Sequence, residues 1–170
     1  MTAPLPSVWL LDVDGVLNAS RPGWGGPPRR SGCWSSVDNY EYTMRWAPAL
    51  IERIRNLNRS GAVELRWCST WCADATALER LWALPPLKRA FADPVRGDAA
   101  SAAKLAAARK VLADDRRLIW TDDTEVPLDG DVHDELVAAG RALLIRPRGS
   151  TGLQPEHMDR IEAFARSEAP

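Results

Sequence analysis

Apolar residues along this chain fall into short unbroken runs, separated by stretches in which they recur at helical spacing. Residues 7–11, Ser-Val-Trp-Leu-Leu, form a β-prone run that stops abruptly at Asp12, as a buried parallel strand does where it reaches the edge of a sheet. Pro48 suits a first helical turn, and Leu50, Ile51, Ile54 and Leu57 follow at helical spacing before Gly61 ends the helix. Strands are predicted again at 63–68, 117–120 and 142–145, and helices at 74–84, 101–112 and 155–164, the first of these closed by Pro85-Pro86. Strands that alternate with helices predict an α/β fold: a Rossmann-like, mostly parallel sheet covered by helices on both faces.

One stretch breaks the alternation. Residues 18–36 are rich in Gly, Pro, Ser and Arg, and residues 38–46 turn aromatic and β-prone, which predicts a loop followed by a hairpin or flap at about 18–46. With 170 residues and no internal repeat, the chain is expected to form one domain over 1–170 with this flap as an insertion.

Composition narrows the function classes. A formal net charge of −1 provides no global attraction to nucleic acid or anionic membrane, so any such binding would need a local patch. No run of about 18 apolar residues occurs, and no basic region precedes the first apolar run, so a cytoplasmic protein without membrane association is expected. Cys33, Cys68 and Cys72 are odd in number and lack a disulfide-framework spacing, which predicts buried free thiols.

Candidate chemistry lies at the predicted strand ends. The first strand runs into Asp12-Val13-Asp14-Gly15-Val16-Leu17-Asn18, and a later one into Thr121-Asp122-Asp123. In an open α/β sheet the carboxyl ends of the strands converge on one crevice. Carboxylates brought together there repel one another unless a cation sits among them, and hard oxygen donors of this kind suit Mg²⁺. Asp12 and Asp14 would lie on opposite sides of an extended strand, but Gly15 permits a turn that lets both face the crevice. Asp-x-Asp-Gly can equally be an ordinary turn.

Taken together and in this order, the residues resemble the four motifs of the haloacid dehalogenase (HAD) superfamily. The segment 12–18 is similar to its first motif, Ser69 at the end of the second long strand to its second, Lys104 to its third and Asp122-Asp123 to its fourth. The resemblance implies a Rossmann-like HAD fold with a minimal cap, dependence on Mg²⁺ and an aspartyl-phosphate intermediate. Asp12 would be the nucleophile, and Asp14 the general acid/base whose main-chain carbonyl also serves the metal. Asp122 would be a metal ligand, and Asp123 a second ligand or a support. Ser69, with Thr70 as the alternative, would hold a phosphate oxygen, and Lys104 would be the cationic partner. Asp14 resembles the phosphatases and phosphomutases, since other branches of the superfamily carry different residues there.

Both positions open to a cap, 18–46 and 71–101, are short, so an open crevice for a phosphorylated substrate is expected. That substrate would be a small molecule or a nucleic acid end. Of eight tryptophans, Trp9, Trp67 and Trp120 fall on predicted strands and read as core. Trp24 and Trp34 share the flap with Arg21, Arg29 and Arg30, and aromatic faces interleaved with Arg suit stacking and phosphate contact with a nucleic acid end. A flap that packs its own tryptophans is the plainer alternative. The Trp-rich flap, Trp67-Cys68-Ser69-Thr70-Trp71 and Trp120-Thr121-Asp122-Asp123 are similar to small HAD domains that accompany RNA-repair proteins, and more distantly to the phosphatase half of polynucleotide kinase-phosphatases. Nothing resembles a Gly-x-x-x-x-Gly-Lys-Ser/Thr loop, so a free-standing phosphatase is expected. A phosphomutase, or a HAD-fold binding protein without turnover, is the competing expectation.

Overall fold

A computed structural model describes residues 5–167. Five parallel strands form the central sheet: β1 (Ser7–Leu11), β4 (Val63–Trp67), β5 (Lys88–Arg89), β6 (Leu118–Thr121) and β7 (Ala142–Ile145), in the order β5-β4-β1-β6-β7. β1 lies at the centre and pairs with β4 on one side and β6 on the other. The chain therefore reverses its direction of growth across the sheet at β1, the kind of switch point where α/β sheets open a crevice at their carboxyl edge.

Alternation along the strands sorts the core into two layers. Trp9 and Leu11 of β1 and Ile119 of β6 pack on one face, with α1 (Pro48–Arg59) and α5 (Pro155–Arg166) contributing Leu50, Ile54, Leu57, Met158 and Ile161. Val8 and Leu10 point the other way, with Leu118 and Trp120, beneath α3 (Gly97–Ala113) and α4 (Gly130–Val137). Residues of period two thus serve two helical layers, which is why these strands read as unbroken apolar runs. Helices cover both faces, as the alternation predicts. The tryptophans of the strands, Trp9, Trp67 and Trp120, are all buried core residues.

The remaining strands, β2 (Arg29–Ser35) and β3 (Tyr40–Trp46), form a separate antiparallel hairpin. The loop expected over 18–36 is corrected here, since its last third is a strand. Arg-Arg-Ser-Gly-Cys-Trp-Ser has little strand preference of its own, and full register with β3, from Arg29 opposite Trp46 to Ser35 opposite Tyr40, supplies what composition does not. Cys33, Ser35, Met44 and Trp46 bury one side of the hairpin against the domain.

Other boundaries shift. The helix expected at 74–84 is a 3-10 turn at Cys72–Asp74 followed by α2 (Ala75–Leu81), and the Ala-rich helix begins at Gly97, a turn earlier than expected. α4 and the two-residue β5 were not expected. All three cysteines are buried free thiols. Among the described residues no helix is long and apolar enough to cross a membrane.

Candidate active site

β1 and β6 are adjacent and parallel, so the residues that follow them emerge side by side at the carboxyl edge. Asp12 and Asp122 are both buried there, and carboxylate oxygens of Asp12, Asp122 and Asp123 all lie within 4.8 Å of one another. Lys104, from the second turn of α3, reaches into this group and is itself buried. Its Nζ donates to Asp12 Oδ2 at 3.0 Å and to Asp122 Oδ2 at 2.6 Å. The other oxygen of Asp122, Oδ1, accepts the backbone N–H groups of Thr124 and Glu125 at 2.9 and 2.8 Å and the Thr124 hydroxyl at 3.2 Å. Asp122 is thus tied on both oxygens, whereas Asp12 is held by Lys104 on one.

Two glycines make room for the third acid. A Cβ at Gly15 or at Gly149 would run into the Asp123 carboxylate, and Gly15 also has φ +71°, a conformation that side chains disfavour. Gly15 therefore serves a close approach as well as the turn read from the sequence.

Three carboxylates face one ammonium, and titration reflects the imbalance. Burial pushes the Asp12 carboxyl up to about 8, the charge of Asp122 adds to the rise, and Lys104 only partly opposes it. Asp123 is also raised, by burial and then by Asp122. For Asp122 burial acts upward too, but Lys104 and the two backbone N–H donors outweigh it and hold the group below its ordinary range. Lys104 is raised: burial works against its charge, and the attraction of Asp12 and Asp122 prevails. Excess negative charge on clustered oxygen donors is the condition a divalent cation relieves, and hard carboxylate oxygens suit Mg²⁺. The residues present fit such an ion, with Asp12, Asp122 and Asp123 as its holders.

Asp14 takes a different place. Its side chain stands outside the three-acid group, exposed, with Oδ1 accepting from Asn18 Nδ2 at 2.7 Å and Oδ2 from Trp71 Nε1 at 3.0 Å. The turn at Gly15 places Asp14 at the rim of the crevice, apart from the three-acid group. There it borders two clefts. One of about 490 Å³ runs along Gly15, Asn18, Arg45 and Gly149. The other, of about 220 Å³, lies under the hairpin between Tyr42, Thr70, Trp71 and Arg96.

Ser69 is buried, and its Oγ accepts the Trp71 backbone N–H at 3.2 Å, so the hydroxyl shapes the turn after β4. Thr70 is exposed and lines the smaller cleft with Asp14. The other two lysines pair elsewhere, Lys88 with Glu64 at 3.1 Å and Lys110 with Asp114 at 3.1 Å, both away from the three-acid group.

The four flap residues do not form one surface. Trp24 is half-buried, its indole N–H donates to the Leu153 carbonyl at 2.8 Å, and Arg53 lies 5.8 Å over its ring. Its N–H finds a carbonyl inside the fold, and its ring packs against the core, the plainer of the two alternatives for this residue. Trp34 is 50 % exposed on β2, and Arg29 and Arg30 are exposed on the same strand. Arg96, Tyr42, Asn18 and Trp71 were not singled out from the sequence. Only the position of Asn18 inside the Asp-rich segment, and of Trp71 beside Ser69, hinted at them.

Comparison with protein-family models, with curated proteins and with solved structures finds no match for this chain.

Proposed function

We propose that this chain is a Mg²⁺-dependent phosphatase of the HAD type, hydrolysing a phosphomonoester through an aspartyl-phosphate on Asp12. The observation that carries the reading is the division of labour at the carboxyl edge. Asp12 is buried beside Asp122 and braced by Lys104, while Asp14, two residues on, is held apart at the rim of the clefts.

Each residue then has a chemical task. Lys104 holds Asp12 Oδ2, so the other oxygen is the one left to attack phosphorus in line. As the bond to phosphorus forms and the ester P–O bond breaks, Asp14 gives a proton to the departing oxygen. In the second half Asp14 takes a proton from water, which attacks the same phosphorus, releases inorganic phosphate and restores Asp12. Phosphoryl transfer asks a protein mainly for positioning and charge stabilisation, and the braced carboxylate and its lysine supply both. Mg²⁺ bound by Asp12, Asp122 and Asp123 would offset the charge of the acids and of the phosphate together. Clustered acids of this kind are costly to keep buried without such a use, which disfavours a fold that binds without turnover.

The test is phosphate release from sugar phosphates, nucleotides and 3′- or 5′-phosphorylated oligonucleotides, with Mg²⁺ and with excess chelator. Turnover is expected with Mg²⁺ alone, and Asp12→Asn is expected to lower it by on the order of 10⁴-fold or more in a folded protein. Turnover that survives in chelator, or in Asp12→Asn, would sink the reading. A phosphomutase would instead return the phosphate to another position of the substrate without release.

A further inference from the structure

We infer that Trp71 is a positioning residue for Asp14, with the β2–β3 hairpin as part of its support. The inference rests on the reading of Asp14 as acid/base proposed above.

An exposed aspartate ordinarily samples several rotamers in water, and proton transfer needs the carboxyl in one place. Here both oxygens of Asp14 are held by N–H donors from separate parts of the chain. Asn18 donates to one, and its own carbonyl oxygen accepts the Arg45 backbone N–H of β3 at 2.8 Å, which fixes the end of the amide that faces Asp14. Trp71 donates to the other across 57 residues of sequence.

Trp71 is in turn fixed. Its backbone N–H is bound to Ser69 Oγ, and Cys72 N–H donates to the Ser69 carbonyl at 3.0 Å. Its ring meets the edge of Tyr42 of β3, centroids 5.5 Å apart at 77°. The Tyr42 hydroxyl donates to Asp38 at 3.1 Å, and Asp38 is ion-paired with Arg96. The hairpin therefore packs against the indole through Tyr42.

Other indoles show what a purely structural N–H does. That of Trp9 ends on Thr121, that of Trp67 on Glu79 and that of Trp24 on a main-chain carbonyl, all within the packing of the fold. Trp71 instead aims its N–H at an exposed carboxylate between two clefts. The ring is buried in the core, and the N–H gives the acid a defined position. Losing it affects most the substrates whose leaving oxygen must be protonated.

Trp71→Phe keeps an aromatic ring against Tyr42 and deletes the N–H. With an alkyl phosphate such as glycerol phosphate, kcat is expected to fall about tenfold, the scale of one hydrogen bond to a charged group. With p-nitrophenyl phosphate it is expected to change little, and KM to stay the same for both. Should the ring change impair folding, 3-benzothienylalanine placed at position 71 keeps the indole outline with sulfur in place of N–H, and the same split is expected. A second readout needs no turnover. The Trp71 indole N–H resonance, identified by its loss in Trp71→Phe, is expected to move in Asp14→Asn while those of Trp9 and Trp67 stay. Equal losses on both substrates, an active wild type matched by both variants, or an indole resonance indifferent to Asp14→Asn overturns the role of Trp71 alone. A wild-type protein that releases phosphate from neither substrate overturns the phosphatase reading and the role together.

Discussion

The carboxyl and amino edges of the sheet both carry hollows, and the larger one lies at the amino edge. There, about 850 Å³ open between the start of β1, residues 61 and 62, residues 114–117 and the end of α5. Most of its hydrogen-bonding groups are answered locally, though the Arg117 Nε finds no acceptor among the described residues. Arg116 donates to the Pro6 carbonyl and to Glu64, and Arg117 donates to the Ser167 carbonyl and hydroxyl while lying 3.9 Å over the Phe164 ring. At the carboxyl edge the clefts are smaller, and three acids crowd one lysine. On the proposed reading, size of hollow does not locate the chemistry. What distinguishes the carboxyl edge is three acids gathered around one buried lysine, an arrangement that costs stability and supports the proposed use.

The largest difference between the edges is expected when one cation is removed from each. Lys104→Met leaves Asp12 and Asp122 buried without their counter-ion, and is expected to destabilise the chelator-treated protein by about 3–5 kcal/mol. Arg116→Met, at a partly buried pair in which Arg66 and Lys88 also serve Glu64, is expected to cost about 1 kcal/mol. Adding Asp12→Asn to Lys104→Met is expected to recover part of the loss only at a pH high enough for Asp12 to ionise. Urea unfolding of the variants measures all of this. Equal costs for Lys104→Met and Arg116→Met would erase the distinction between the edges.

A smaller effect separates the edges by pH. The Asp12 carboxyl rises from an ordinary value of 3.8 to about 8 on folding. Between those values the native state holds a proton that the unfolded chain has released, so the Asp12 contribution to stability is fully present below about pH 4 and is lost as pH climbs through about 8. Asp123 acts in the same sense; Asp122 and Lys104, shifted in the ionised direction, act outside this window. Thermal unfolding in chelator at pH 5 and pH 8 is expected to show the loss in the wild type and much less of it in Asp12→Asn. Mg²⁺ is expected to raise the wild-type midpoint more at pH 8 than at pH 5. A wild type and Asp12→Asn with parallel pH profiles would remove the imbalance from the argument.

Legibility from sequence followed how local the cause was. β1, β7 and the starts of α1 and α5 could be read because apolar runs and helix-starting prolines are local signals. Asp12, Lys104 and Asp122 could be read because strand ends and the helix leading into β6 fix where they emerge. β2 could not, since its polar residues become a strand only through β3. α4 was missed because its eight residues bury only Leu136, too few for a period to show. The hold of Asn18 and Trp71 on Asp14 is a tertiary fact, as is the slot that Gly15 and Gly149 leave for Asp123. No spacing in the sequence announces either.

The flap at 18–46 presents the finest contrast, because its Trp24 and Trp34 look alike in sequence and differ in setting. Trp24 has a carbonyl partner and a cation over its ring, so Trp24→Ala is expected to cost about 1–3 kcal/mol through lost packing and an orphaned carbonyl. Trp34 stands 50 % exposed on β2, the strand that also carries exposed Arg29 and Arg30, so Trp34→Ala is expected to change stability by no more than about 0.5 kcal/mol. If a nucleic acid end is the substrate, Trp34 is the ring left to stack on it, and its removal is expected to weaken binding of a phosphorylated oligonucleotide by about 1 kcal/mol. That affinity is also expected to fall as salt rises, through the Arg–phosphate contacts. Thermal midpoints and oligonucleotide titrations on the two single variants measure both halves. A Trp34→Ala protein that binds the oligonucleotide as the wild type does, or a wild type that does not bind it, would leave the hairpin only its part in supporting Trp71 and Asp14.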